Sequence, residues 1–295
     1  MSFDLLRSVA EARGFCAARR SAGVRLGFVP TMGALHEGHL ALVRAAAAAC
    51  DEVVVSVFVN PLQFNDPADL ERYPRDLEGD AELVRAAGAR MLFTGTLDGF
   101  FPDELDEEGA LLPEHRVDPG PCALGLEGEH RPGHFAGVAT IVDRLFEVVQ
   151  PEQAFFGAKD YQQCLVVRDL AARRGGPRIQ VCPTVREDDG LARSSRNALL
   201  TGEDRARAAC LSQGLFAARA AFAAGERSPQ VLAGLVASAV ERGGLELEYA
   251  AIRDPLRWTA GDPEPPLDRA VALVAARAGS VRLIDNLELS AGGES

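Results

Sequence analysis

Lysine is nearly absent from this chain. Of 31 lysine and arginine residues in 295, Lys159 is the single lysine and every other one is arginine. Cations are also outnumbered: 43 acidic residues leave a formal net charge of −12 and a pI near 5.0. That balance excludes the basic stripe a nucleic-acid surface needs. Anionic small substrates are not excluded, because a few clustered cations can dominate one cleft. The six cysteines, at 16, 50, 122, 164, 182 and 210, contain no C-x-x-C pair, so no zinc-ribbon or redox-dithiol motif is present. No run approaches the roughly 18 apolar residues of a membrane span. The opening "MSFDLLRSVAEARGF" lacks the basic region and apolar core of a signal peptide. A cytoplasmic protein with reduced thiols is expected, with neither a membrane nor a nucleic acid as partner. No internal repeat occurs.

Hydrophobic residues at 47% and charged residues at 25% are ordinary for a globular chain, and the length suits one large or two medium domains. "VRLGFVP" (24–30) reads as a strand, "HLALVRAAAAAC" (39–50) as a helix, and the apolar run "DEVVVSVFV" (51–59) as a parallel strand covered on both faces. "NPLQFNDPADLERYPRD" follows. Its Pro and Asp content predicts irregular structure over 61–78 and suits a flap that shields a reactive intermediate. Helical "AELVRAAG" (81–88), strand "RMLFTG", helix "VATIVDRLFEVV", strand "QAFFG", helix "CLVVRDLAARR" and strand "RIQVCPTV" (178–185) continue an α/β alternation. After about 185 the pattern changes. A polar loop, Ala-rich helical stretches near 203–223 and 229–242, and strand-like "LELEYAAI", "AVALVAARA" and "SVRLID" predict a smaller α+β domain. The acidic run "DELDEEG" (103–109) is a solvated loop.

"PTMGALHEGHLAL" (30–42) spans the first strand and its helix, and ligands in open parallel sheets bind at strand carboxyl ends. His36 and His39 lie three apart where the helix starts, near free N–H groups and the positive end of its dipole. Gly33 and Gly38 allow close approach of a nucleotide. Glu37 is a solvated first-turn carboxylate. Other readings stand beside this one. The pair could bind zinc, although H-E-x-x-H is one residue longer than "HEGH", or could be ordinary capping or core histidines. "ARSSRN" (192–197) offers two hydroxyls and guanidinium groups in a mobile loop, suited to clamping phosphates. Gln63 and Gln163 are candidate amide partners for a carboxylate or hydroxyl. Asp80 and Asp160 are candidates for a magnesium shell, and surface carboxylates otherwise. Lys159, in "GAKDYQQ", is either a compact point charge among phosphate oxygens or a surface lysine that remained by chance.

Taken in order, "PTMGALHEGHLAL", "SVFVNPLQF", "RYP", "RPGHFAGVATIV", "FFGAKDYQQ" and "DGLARSSRN" resemble the pantoate–β-alanine ligase family. They span about 24–201, and the last third is compatible but less distinctive. The His-x-Gly-His element is also similar to that of a wider nucleotidyltransferase superfamily. The resemblance implies a Rossmann-like parallel-sheet domain at 1–184 and a smaller α+β domain at 185–295 that forms a lid. It implies that pantoate is activated by ATP with Mg²⁺ to pantoyl adenylate, and that β-alanine then gives pantothenate and AMP. Met32, Gly33, Ala34, Leu35, His36, Glu37, Gly38 and His39 would line the ATP site. Gly157, Ala158, Lys159 and Asp160 would join them, with Val185, Arg193, Ser194, Ser195 and Arg196. His39, His36, Lys159, Ser194, Ser195 and Arg196 would serve catalysis, with His39 as the acid. Gln63 and Gln163 would hold pantoate, Gln63 would also meet β-alanine, and Asp80 would meet magnesium. A homodimer through the larger domain is implied as well. Two positions depart from the family pattern: Ala158 stands where Glu is common, and Arg193 where Met or Leu precedes the serines.

Overall fold

The computed structural model describes residues 2–290, so position 1 and positions 291–295 of the two expected domains lie outside it. The elements begin with β1 (Asp4–Leu6), α1 (Val9–Ser21), β2 (Leu26–Thr31), α2 (Glu37–Ala49) and β3 (Glu52–Val57). Next come α3 (Pro67–Arg72), α4 (Leu77–Ala86), β4 (Met91–Phe93), α5 (Leu97–Phe100), α6 (Glu127–His130) and α7 (His134–Val149). The chain goes on through β5 (Gln153–Gly157), α8 (Tyr161–Arg174), β6 (Arg178–Cys182), α9 (Gly202–Ala208) and α10 (Cys210–Ala223). It closes with α11 (Pro229–Arg242), β7 (Glu246–Arg253), β8 (Arg269–Ala278) and β9 (Val281–Ser290).

Two compact units result. The first runs to Ala123 and includes Glu127–Gly157 and Gln162–Pro183; the second takes Leu124–Leu126, Ala158–Tyr161 and the described residues from Thr184 on.

In the first unit six parallel strands lie in the order β1-β4-β3-β2-β5-β6, a Rossmann-like sheet. Side chains alternate along each strand, and because both faces are covered, both sets are apolar. Phe28 and Val54 face a core shared with α1, α7 and α8. Val29, Val53 and Val55 face the other core, against Leu42, Val43 and Ala46 of α2 and Val84 of α4. From β2 the chain moves outward through β3 and β4, then returns to place β5 on β2's other side. The order therefore reverses between β2 and β5, and the carboxyl ends of these strands border the crevice where ligands bind in such sheets.

The second unit is an antiparallel meander, β7-β8-β9, with α10 and α11 packed on it. Ala270, Ala272, Val274, Ala276 and Ala278 alternate along β8 into a core with Leu211, Leu215 and Phe222 of α10 and Leu232 and Val236 of α11.

Several elements depart from the sequence reading. β1 and α1 had no counterpart in it. Residues 61–78 are less irregular than their composition suggests: Pro61–Gln63 forms a 3-10 turn and Pro67 starts a short helix with Asp66 as its cap. Proline is tolerated at a first helical position because no N–H is needed there. α4 starts at Leu77, capped by Asp76. β6 ends at Cys182, and the 203–223 stretch divides into α9 and α10. β9 runs to Ser290, because Leu287 and Leu289 continue the ladder opposite Ala272 and Ala270.

Candidate active site

The segment after β2 turns sharply, and its residues are built for that turn. Thr31 donates its hydroxyl to the Ser56 carbonyl at 2.8 Å and accepts from the Gly33 N–H at 3.2 Å. Gly33 has φ +83°, and a Cβ there would meet Asp80 and Val57 atoms at 2.9 Å. Ala34 follows with φ +52°, a left-handed conformation that costs a non-glycine residue about 1 kcal/mol or more. Asp80 offsets this. Its two carboxylate oxygens accept the N–H groups of Ala34 (3.0 Å) and Leu35 (2.9 Å) from a position only 3% exposed. Burial pushes its pKa up, the Leu35 and Ala34 amides oppose that, and Asp76 adds to the rise; the net direction is upward.

Asp80 is therefore the anchor of this loop. Each of its oxygens already accepts one main-chain N–H, so a magnesium ion would be met only through the lone pairs that remain. Among the described residues no group of three or more His, Cys, Asp or Glu could hold a metal ion.

The turn delivers two histidines to the start of α2. His36 is the N-cap: its Nδ1 accepts the Gly38 N–H at 3.1 Å. His39 reaches back, its Nδ1 accepting the His36 N–H at 3.3 Å. This is a capping box made of two imidazoles instead of the usual Ser/Thr and Glu/Gln. The rings lie 4.2 Å apart, centroid to centroid. Because each Nδ1 accepts, the proton of each neutral ring sits on Nε2, which makes Nε2–H a donor at the positive end of a thirteen-residue helix. Glu37 pairs with Arg44 along the exposed face of the same helix.

Gln63 closes the 3-10 turn after β3. It is 9% exposed, with its Nε2 3.0 Å from the Met32 sulfur and its Oε1 accepting from Asn60 at 3.0 Å. Asn60 also caps the turn through Leu62 N–H and donates to the Gly137 carbonyl at 3.1 Å. Asn60 escaped the sequence reading; its signal was an Asn-Pro pair directly after an apolar strand. At Gly137 a Cβ would lie 2.1 Å from the Leu62 carbonyl, so glycine alone lets α7 support this turn. Gln163 is half-buried in the first turn of α8. Its neighbour Gln162 is engaged within the fold, accepting from Glu127 N–H (3.1 Å) and donating to the Cys122 carbonyl (3.0 Å).

The second unit carries the remaining candidates. Ala158, Lys159 and Asp160 form a 3-10 turn leading into α8, directly after Gly157. The Lys159 ammonium is 3.5 Å from the Asp160 carboxylate. The segment 184–197 is a small hairpin: Arg186 bridges to Ala192, Glu187 N–H bonds Leu191, and Arg193 N–H bonds Val185 at 2.9 Å. Ser194 then caps the turn Ser195–Leu199, accepting from Arg196 N–H at 3.3 Å. Asn197 donates to Glu187 and to the Ala192 carbonyl, both at 3.1 Å. The Nε of Arg193 is buried and has no hydrogen-bond partner, the condition of a donor that an acceptor from outside would satisfy.

Residues 4–288 match the family model described as pantoate-beta-alanine ligase. The chain is 46% identical to pantothenate synthetase 1 of Bradyrhizobium diazoefficiens, over 97% of this chain and 98% of the relative. It is 47% identical to the pantothenate synthetase of Gluconobacter oxydans, over 95% and 99%. The crystal structure of pantothenate synthetase from Thermus thermophilus superposes with a TM-score of 0.85 at 42% identity, covering 98% of this chain and 100% of that one. That of the Francisella tularensis ligase complexed with beta-gamma ATP and beta-alanine superposes with a TM-score of 0.75 at 32% identity, covering 97% of each.

Proposed function

The chain belongs to the pantoate–β-alanine ligase family, and from that premise we propose that it joins pantoate to β-alanine at the expense of ATP, through a pantoyl adenylate. In the first step a pantoate carboxylate oxygen attacks the α-phosphorus, and the bond to pyrophosphate breaks. In the second, the β-alanine amine attacks the acyl carbon of the mixed anhydride. The bond to AMP breaks, and the amine gives up its proton as pantothenate forms. Mg²⁺ enters with ATP as part of the substrate.

The observation that carries the reading is the histidine capping box on α2. Negative charge grows on phosphate oxygens as the first step proceeds, and fixed donors aimed at it lower the barrier without reorganising. The Nε2–H groups of His36 and His39 and the first-turn amides of α2 are such donors, and His39 is the acid of this scheme. Lys159, Ser194, Ser195 and Arg196 are assigned to the departing pyrophosphate, and the unpartnered Nε of Arg193 to the nucleotide. Gln63, held by Asn60, presents its amide to pantoate beside Met32, with Gln163 as its counterpart. Little covalent work is asked of the protein, since phosphoryl-type transfer depends mainly on positioning and charge. On this reading the enzyme is cytoplasmic and acts as a homodimer.

The test is product stoichiometry. AMP should form only with pantoate and β-alanine both present, one per pantothenate; AMP released with a different acid and not with pantoate would replace this substrate assignment.

A further inference from the structure

Asp285 and Asn286 of β9 are among none of the candidate site residues above, yet they hold the turn that presents Lys159. The Asn286 side-chain Nδ2 donates to two consecutive carbonyls, those of Ala158 at 2.9 Å and Lys159 at 2.7 Å. An amide NH₂ has two hydrogens, so both are used and both peptide planes are fixed against β9. Asn286 is itself 6% exposed and clamped at its main chain. Its N–H donates to Asp285 at 2.8 Å, and its carbonyl accepts from Arg186 at 3.1 Å.

Arg186 completes the cluster. It meets both oxygens of Asp285 at 2.6 and 3.0 Å, in the bidentate geometry that fixes direction as well as distance. The same guanidinium donates to the Gly190 carbonyl at 3.0 Å, inside the hairpin that leads to Ser194 and Arg196. One network in the second unit thus ties β9 to both segments that carry phosphate-directed groups.

We infer that Asn286 is a positioning residue for the reaction: by pinning the carbonyls of Ala158 and Lys159, with Asp285 and Arg186 fixing it in turn, it sets where the Lys159 ammonium lies. The inference rests on the role proposed for Lys159. It also accounts for the departure at 158, because the main-chain carbonyl is what the network uses there, and alanine supplies that as well as glutamate. A flexible four-carbon stem cannot aim its own charge; a fixed Cα shortens the search.

The experiment is a double-mutant cycle in the full chain, read by pantoate-dependent exchange of pyrophosphate into ATP and by thermal melts. Asn286→Ala is expected to lower the maximal exchange rate by about ten- to a hundredfold, the scale of a misplaced catalytic group, with the KM for pantoate unchanged. In a Lys159→Ala background the same substitution should cost nothing more. Lys159 is the only lysine, so with the α-amine blocked beforehand its labelling by an amine reagent reports the turn directly; ATP should protect it in the parent and several-fold less in Asn286→Ala. If Asn286→Ala does not fold, Asn286→Ser, which keeps one donor, is carried through the same cycle with a smaller loss expected. A parent-like rate in the folded variant, or a loss that multiplies fully with that of Lys159→Ala, overturns the inference and leaves Lys159 in place. A Lys159→Ala protein that exchanges at the parent rate removes the role of Lys159, and the inference with it.

Discussion

His36 and His39 cap one helix from two directions: His36 Nδ1 accepts the Gly38 N–H, and His39 Nδ1 accepts the His36 N–H. Structural and chemical duties are thereby joined in the same rings, and substitution can separate them. Asparagine is a favoured N-cap, so His36→Asn should keep the helix start and lose the Nε2–H donor. Its stability is expected within about 0.5 kcal/mol of the parent, while His36→Ala loses about 1 kcal/mol. Both should lose exchange activity. Parent-like activity in His36→Asn would make the ring a cap and nothing else.

For His39→Ala a larger catalytic loss is expected, about two to three orders of magnitude in adenylate formation, the scale of one transition-state donor. Melting curves and exchange rates on the same preparation check it. A folded variant with near-normal exchange would remove His39 from the chemistry.

Asp80 is predicted to act through the loop and not through a metal. Asp80→Ala leaves the half-buried amides of Ala34 and Leu35 without this acceptor, which should cost about 1–3 kcal/mol and depress exchange. Asp80→Asn keeps one acceptor and should fall between. The magnesium dependence of exchange, measured for Asp80→Asn, is expected to match the parent; a shift to higher magnesium would restore the ligand role.

Much of this could be read from residue order, and the failures have physical causes. β2, α2 and β3 were legible because alternation, an apolar run and a helix start agree there. β1 and α1 were missed although Ser8 and Glu11 form a capping pattern, with Ser8 accepting the Glu11 N–H; α1's buried face shows only small or scattered apolar residues, Val9, Ala12 and Cys16. The part Asp80 plays in the loop was not legible, because sequence reveals a carboxylate but not that its oxygens accept the Ala34 and Leu35 N–H groups. Asn286 was hidden for a related reason. It interrupts the apolar pattern of β9, so that strand seemed to stop at Asp285, and its partners are carbonyls more than a hundred residues away.

Gly137 offers a test of pantoate binding. Gly137→Ala places a methyl against the Leu62 carbonyl, only 2.1 Å from its position, and must displace the turn carrying Gln63. The KM for pantoate is expected to rise about tenfold or more, with ATP binding unchanged. Unaltered pantoate kinetics would show that Gln63 is not a pantoate contact.

Acid sensitivity should reside partly in the hairpin. A hydrogen bond from Arg205 holds Asp189 below its ordinary range, while at Glu187 burial pushes upward and is outweighed by Asn197 and Arg205. Depressed carboxylate pKa values add stability above the unfolded values of about 4, and lose it as pH falls through the folded values. The parent should therefore melt higher than Arg205→Ala at pH 7, and the gap should close below about pH 4. A gap independent of pH would mean that Arg205 contributes packing alone.

The central claim is that this chain activates the pantoate carboxylate with ATP. Exchange of labelled pyrophosphate into ATP, measured without β-alanine, isolates that step. The account predicts exchange that requires pantoate and is lost in His39→Ala. Exchange that is absent, or equally fast without pantoate, would contradict it.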